Sequence, residues 1–402
     1  MSNEDLAKLE TINIGIVGHI DHGKTTLLKQ LSGKWADTHS QELKRGITIK
    51  LGYADAIIRE ENGKLTIDPN SKGKPKRYIT YIDAPGHEML MATMLSGAAI
   101  IDAAILLVAA NEGIKPQTRE HLVALQAKNI KHIIIAQNKI DLVTKEKAIE
   151  SYKQIKDFVK GTIAENAPIV PISAQQGVNL DKLLEELCKL PIKEIKKDEK
   201  PIFLIARSFD INRPGTALKE LHGGVLGGVL KQGKIKVGDT IEIKPGYSQK
   251  KHNEFIYRTI TTKITSIYKG KYQVDEALPG GSLAIETELD PSLTKADALS
   301  GGVASIEGEL PEITSTVKIK YEIFNNTIGD KRSQEIKPLA QGELLMLSAN
   351  TSITVGQISK ISKEIVELTL KIPIVPLQND SIGIARNFNG HWRLIGFGKI
   401  EN

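Results

Sequence analysis

Paired glycines ahead of a lysine and a threonine, an aspartate before Pro-Gly, and an Asn-Lys-x-Asp run are residues suited to holding a nucleoside triphosphate with a hard cation. The first set is Gly18-His19-Ile20-Asp21-His22-Gly23-Lys24-Thr25, a G-x-x-x-x-G-K-[ST] loop followed by Thr26. Phosphates are polyanions and need backbone N–H groups and a fixed cation at close range. Gly18 and Gly23 let the loop wrap a β-phosphate without Cβ clashes, and the amides of the loop and the next helix supply a positive nest. Lys24 is expected to reach the β- and γ-phosphates, and Thr25 to offer its hydroxyl to Mg²⁺. Asp21 is unusual beside phosphates: either it binds a cation, or it points to solvent and tightens the turn.

The second set is Asp83-Ala84-Pro85-Gly86. Asp83 is placed to hold Mg²⁺ through water, and the Gly86 amide to sense the γ-phosphate. His87 follows at once and reads as the catalytic residue that orients the attacking water; its alternative is a local hydrogen bond at a helix N-terminus. Thr48, in Lys44-Arg-Gly-Ile-Thr48-Ile, lies where a switch threonine completes the Mg²⁺ shell, in a loop that orders with the γ-phosphate. The third set, Asn138-Lys139-Ile140-Asp141, decides the base. The Asp141 carboxylate accepts N1–H and N2–H of guanine, and adenine offers neither. Asn138 fixes the loop and base edge, the Lys139 stem lies over the ring, and Ser173-Ala174 presents a backbone N–H toward O6. A pocket built on such hydrogen bonds rejects ATP. The bound species are therefore expected to be GTP or GDP with Mg²⁺.

These loops need a sheet to hold them. Strand-like runs at Thr11–Val17, Gly52–Arg59, Tyr78–Ile82, Ala103–Ala109, His132–Gln137 and Ile169–Ile172 alternate with helical patterns. One of those is Leu180, Leu183, Leu184 and Leu187 at i, i+3, i+4, i+7. This alternation predicts an α/β P-loop GTPase domain, doubly wound on a mostly parallel sheet. The second and third runs, joined by a polar loop from Glu60 to Arg77, are expected to pair antiparallel. A charged stretch from Ile192 to Pro201 then reads as a linker. Beyond it, short β-rich runs (Ile202–Ser208, Thr240–Lys244, Thr259–Tyr268, Leu283–Glu286) with Gly-rich turns predict two β-barrel domains. The expected domains are 1–199, 200–309 and 310–402.

The 402 residues suffice for three cores, and 25% charged with 40% hydrophobic residues is ordinary for a globular protein. The longest apolar stretch, Ala98 to Ala110, contains Asp102 and is too short to span a bilayer. The N-terminus has no basic–apolar–small signal pattern, and the lone Cys188 excludes an intrachain disulfide and a thiolate zinc cluster. A cytoplasmic setting without a membrane partner is expected. The net charge of +6 is compatible with a nucleic-acid partner and equally with a solvated lysine-rich surface.

The loop Gly18–Thr26 and Arg45-Gly-Ile-Thr-Ile49 resemble translational GTPases of the elongation factor Tu type. Lys44–Ala54, Met91–Ala99, Arg207–Thr216, Asp290–Asp297 and His391–Gly396 resemble the gamma subunit of archaeal and eukaryotic translation initiation factor 2. That resemblance covers nearly the whole chain. It implies a GTPase core subunit that carries charged (methionylated) initiator tRNA to the small ribosomal subunit. It also implies an alpha subunit on the second domain and a beta subunit on the GTPase domain. One departure stands out: many members carry a four-cysteine zinc knuckle where this chain has only Glu60 to Arg77, so no zinc is expected. Three other readings stay open: a tRNA-carrying elongation factor, including the selenocysteine-specific type, an ATP-using metabolic P-loop enzyme, and a GTP-binding scaffold with little turnover.

Overall fold

A computed structural model describes residues 9–33, 52–83, 91–192, 196–252, 254–325, 335–377 and 380–401. The first domain holds strands β1 (Glu10–Gly18), β2 (Gly52–Glu61), β3 (Lys64–Thr66), β4 (Lys74–Asp83), β5 (Ala103–Ala109), β6 (His132–Asn138) and β7 (Ile169–Pro171). Its helices are α1 (Lys24–Ser32), α2 (Met91–Ala98), α3 (Pro116–Ala127), α4 (Lys145–Val159) and α5 (Leu180–Lys189).

The sheet runs β3-β2-β4-β1-β5-β6-β7. β4, β1, β5, β6 and β7 are parallel, and β2 lies antiparallel on β4 with Gly52 opposite Asp83. Both faces are covered, so the central strands are apolar throughout rather than alternating. Ile14, Ile16, Ile105 and Leu107 face α1 and α5, packing on Leu27, Leu28, Leu31, Leu183 and Leu187. Val17, Leu106 and Val108 face the other way, toward Leu95, Leu122, Leu125 and Ile155. Parallel strands share one direction, so the loops after β1, β4, β6 and β7 all emerge at one sheet edge, where α/β folds bind ligands.

The segment Glu60–Arg77 is more than the polar loop expected of it. Asn62 (φ 52°) and Gly63 (φ 74°) form a two-residue turn that pairs Glu61 with Lys64, and β4 already begins at Lys74. Both turn residues need the left-handed region, which asparagine and glycine tolerate best.

The first barrel comprises β8 (Ile202–Phe209), β9 (Val225–Gln232), β11 (Thr240–Lys251), β12 (Glu254–Lys269), β15 (Ser282–Thr287) and β16 (Val303–Ile306). They run β11-β16-β8-β9-β15-β12 and close through β11–β12, with short β13 (Tyr272–Val274) appended to β12 and β10 (Ile235–Lys236) paired with β14 (Glu276–Ala277). The second barrel comprises β17 (Thr314–Ile323), β18 (Leu344–Ala349), β19 (Ser352–Ile361), β20 (Ile365–Ile374), β21 (Ser381–Phe388) and β22 (His391–Glu401), closed in the order β17-β20-β19-β18-β21-β22. Closure leaves no unpaired barrel edge.

The barrels are packed on the first domain rather than strung from it. At the first seam, Lys269 Nζ donates to Thr11 Oγ1 at 2.9 Å, and the Ser282 N–H donates to Thr80 Oγ1 at 3.1 Å. Thr80 in turn donates to Asp55 Oδ1 on β2 at 2.7 Å. At the second seam, Ser96 Oγ donates to Thr351 O at 2.9 Å, and Gly383 lies against Leu95. Leu204, Val229, Val375 and Leu394 of the barrels join the same buried cluster as Leu95, Leu122 and Leu125. No helix among the described residues is long and apolar enough to cross a membrane.

Candidate functional site

The loop leaving β1 turns on its glycines. Gly18 has φ 143°, and a Cβ there would sit 2.6 Å from Leu107 O. Gly23 has φ 94° and caps α1, where a Cβ would lie 2.5 Å from Asn138 Nδ2. Glycine alone meets both demands. Lys24, 7% exposed, folds back over the loop, its Nζ donating to Gly18 O and His19 O at 2.9 Å each. This fixes the ammonium group inside the ring of loop amides. Thr25 and Thr26 follow in the first turn of α1, both partly buried. Asp21 is exposed with φ 61°, the left-handed conformation of a turn residue.

Thr25 Oγ1 donates to Asp83 Oδ2 at 3.2 Å. Asp83 ends β4 and is 0% exposed. A hydroxyl and a buried carboxylate side by side at a phosphate loop are oxygen ligands of the kind a hard divalent cation takes. Thr48, Gly86 and His87, assigned above to the switch, the γ-phosphate and the attacking water, lie outside the described residues.

At the base end, Asn138 ends β6 and is 2% exposed. Its Nδ2 donates to His22 O at 2.8 Å, and its Oδ1 accepts from the Ala174 N–H at 2.9 Å. Asn138 therefore staples the phosphate loop to the Ser173-Ala174 loop. The Ala174 N–H thus donates to Asn138, whose buried amide pairs with both loops, as a shielded polar side chain does with the protein around it.

Lys139 takes φ 61° and sends its Nζ to Glu112 Oε1 at 3.3 Å. Asp141 sits exposed in the 3₁₀ turn Ile140–Leu142, which the Ile140 N–H ties to Ile172 O at 3.3 Å. Ser173 is fully buried, its Oγ accepting from the Gln176 N–H at 3.2 Å. The structure thus brings Gly18–Thr26, Asp83, Asn138–Asp141 and Ser173-Ala174 to one edge, with Asp141 as the exposed carboxylate at its base end.

Three participants were not foreseen. The Gly18 N–H donates to His121 Nδ1 at 2.8 Å, the Ile20 N–H to Gln117 Oε1 at 3.2 Å, and Glu112 anchors Lys139. Gln117 and His121 are four apart on α3, a spacing that stacks two polar groups on one face of a helix. That spacing was the available signal. Burial keeps the imidazoles neutral: it lowers the pKa of His22 to about 4 and that of His121 to about 3, and lowers that of His19 as well. The loop's fixed positive charge therefore rests on Lys24 and the backbone amides.

Residues 9–192 match the family described as Elongation factor Tu GTP binding domain, 223–298 match Elongation factor Tu domain 2, and 315–400 match Initiation factor eIF2 gamma, C terminal. The chain is 47% identical over 398 residues to translation initiation factor 2 subunit gamma of Thermococcus onnurineus, covering 97% of each chain. It is 48% identical over 410 residues to the protein of that name from Methanocaldococcus jannaschii, covering 100% of both. Among solved structures, it resembles a bacterial selenocysteine-specific elongation factor with TM-score 0.76 and 26% identity, over 97% of this chain and 58% of that one. It also resembles elongation factor SelB from Methanococcus maripaludis in complex with the GTP analogue GPPNHP, with TM-score 0.73 and 25% identity, over 98% of this chain and 79% of that one.

Proposed function

This chain belongs to the family of translation initiation factor 2 gamma subunits, and from that premise we propose that it carries methionylated initiator tRNA to the small ribosomal subunit under control of bound GTP. Membership in the family makes it a GTP-binding, GTP-hydrolysing initiation factor. The rest is our reading. Thr25, Asp83 and Thr48 would hold Mg²⁺, which would supply charge stabilisation to the phosphates. Lys24 and the amides of Gly18–Thr26 orient the triphosphate. Asp141 selects guanine by accepting its two ring-edge protons. His87 holds the attacking water once start-site selection permits hydrolysis, and its replacement by alanine slows that step roughly 10²–10⁴-fold while sparing nucleotide binding. Alpha and beta subunits complete the factor, alpha on the first barrel and beta on the GTPase domain.

One observation carries this reading: the first barrel is bonded to β4 and, through Thr80, linked to β2, the strand that leads directly out of the Thr48 segment. A change passed into β2 at Gly52 can therefore reach the barrel bonded to β4. The elongation-factor reading draws support from the solved structures, but identity to those is 25–26%, against 47–48% along the full length of the initiation subunits. Filter binding discriminates the two. With GTP, the chain should retain charged initiator tRNA far better than charged elongator tRNA; equal retention would favour the elongation reading.

A further inference from the structure

Helix α3 touches the phosphate loop with one face and the second barrel with its neighbour. Gln117 and His121 lie on the same side of the helix. They accept the Gly18 and Ile20 N–H groups and so pin the backbone of the phosphate loop at two points. Glu120, next to His121, takes Arg393 NH1 of β22 at 2.9 Å, with side chains only 7% and 15% exposed. Lys128, the C-cap of α3, is half-buried and donates its Nζ to Ser348 O at 2.9 Å and Ser381 O at 3.1 Å. The helix is thus held by the second barrel at its middle and far end, and itself holds the loop near its start.

We propose that Gln117 and His121 are positioning residues that fix the backbone of the phosphate loop at Gly18 and Ile20, leaving its other amides to face the phosphates, and that the second barrel, through Arg393 and Glu120, sets how firmly they do so. The physical case rests on the pairing at Gly18. Glycine has the widest backbone freedom of any residue, so its φ of 143° persists only where neighbours impose it. The His121 acceptor is one such neighbour. Removing it leaves a buried N–H unpaired on a flexible residue, a state that costs more than an ordinary lost hydrogen bond. Acceptance at Nδ1 requires the neutral tautomer with its proton on Nε2, which the buried surroundings of His121 favour at any working pH. Displacing the second barrel from α3 therefore loosens the loop and hastens nucleotide release. The inference concerns nucleotide retention alone and stands apart from the tRNA reading.

The test is stopped-flow release of fluorescent GDP from the full-length chain in saturating Mg²⁺. His121→Ala should release GDP roughly 10- to 100-fold faster than the parent. His121→Asn, whose Oδ1 can stand in for the Nδ1 lone pair, should return to within about threefold of the parent. Arg393→Met should accelerate release several-fold in the parent and add nothing further in the His121→Ala background, because both act through one element. A merely structural histidine would lower the melting temperature of the Ala and Asn variants alike without splitting their release rates. Release from folded His121→Ala within about twofold of the parent would overturn the proposal, as would full additivity of Arg393→Met with His121→Ala. If His121→Ala fails to fold, Gln117→Ala and Arg393→Met carry the test; unchanged release in both would overturn it.

Discussion

At the scale of single residues, the site divides its labour between groups that hold the protein together and groups left to meet the ligand. Asn138 belongs to the first kind, its Nδ2 donating to His22 O and its Oδ1 accepting from the Ala174 N–H. Asp141, a carboxylate exposed at the end of the same loop, is the one proposed for the second. Asp141→Asn should lower GTP affinity on the order of 100-fold, since an amide cannot accept both guanine protons, and should raise affinity for xanthosine nucleotides. Competition binding that finds the GTP preference unchanged would remove Asp141 from the base pocket. Thr25 is argued in the same way from its 3.2 Å contact with Asp83. Thr25→Ala should weaken the metal dependence of nucleotide binding at least roughly tenfold, while Lys24→Ala weakens binding with or without metal. A magnesium titration of GDP affinity identical to that of the parent would deny Thr25 its metal role.

At the scale of elements, the strands of the first domain were readable because both-face burial writes continuous apolar runs such as Ala103–Ala109. The nucleotide motifs were readable because each is local. What escaped was long-range or two-sidedly exposed. The pairing of Gly18 with His121 spans 103 positions, and its one trace in the sequence is the i, i+4 spacing of Gln117 and His121. The Asn62-Gly63 hairpin was present in the sequence but submerged in a polar, lysine-rich composition. The outer part of β11 and β12, Tyr247 to Arg258, pairs in register yet is mostly exposed, so no hydrophobic period announces it.

The α3–loop unit also carries a pH signature. His22 and His121 stay neutral in the fold down to about pH 4 and about pH 3, because burial disfavours the imidazolium, whereas both titrate near 6.5 when unfolded. Between those values the unfolded chain binds more protons, so this stability is fully present above about pH 6.5 and is lost as pH falls toward the folded pKa values. Each group should account for about 1–2 kcal/mol between pH 6.5 and 5. Denaturant unfolding at the two pH values should show His121→Asn losing less stability than the parent by about that amount. Equal losses would mean that His121 titrates normally in the fold.

At the scale of the whole molecule, three domains share one buried cluster and two polar seams, so the barrels and the GTPase domain meet in direct contact. β2 follows the Thr48 segment and supplies Asp55, which Thr80 links to Ser282 of the first barrel. Burial at this seam also pushes Lys269, bonded to Thr11, down to about 8. A change passed into β2 therefore has a short path to the first barrel, and a ligand that binds one arrangement of the domains better shifts the population toward it. The measurement that bears most directly on this is the affinity for methionylated initiator tRNA with a non-hydrolysable GTP analogue and with GDP, taken across a salt series. The account predicts clearly tighter binding in the analogue state at every salt concentration, with both affinities falling as salt screens phosphate contacts. Equal affinity in the two nucleotide states would contradict it, leaving a GTPase whose switch does not govern tRNA.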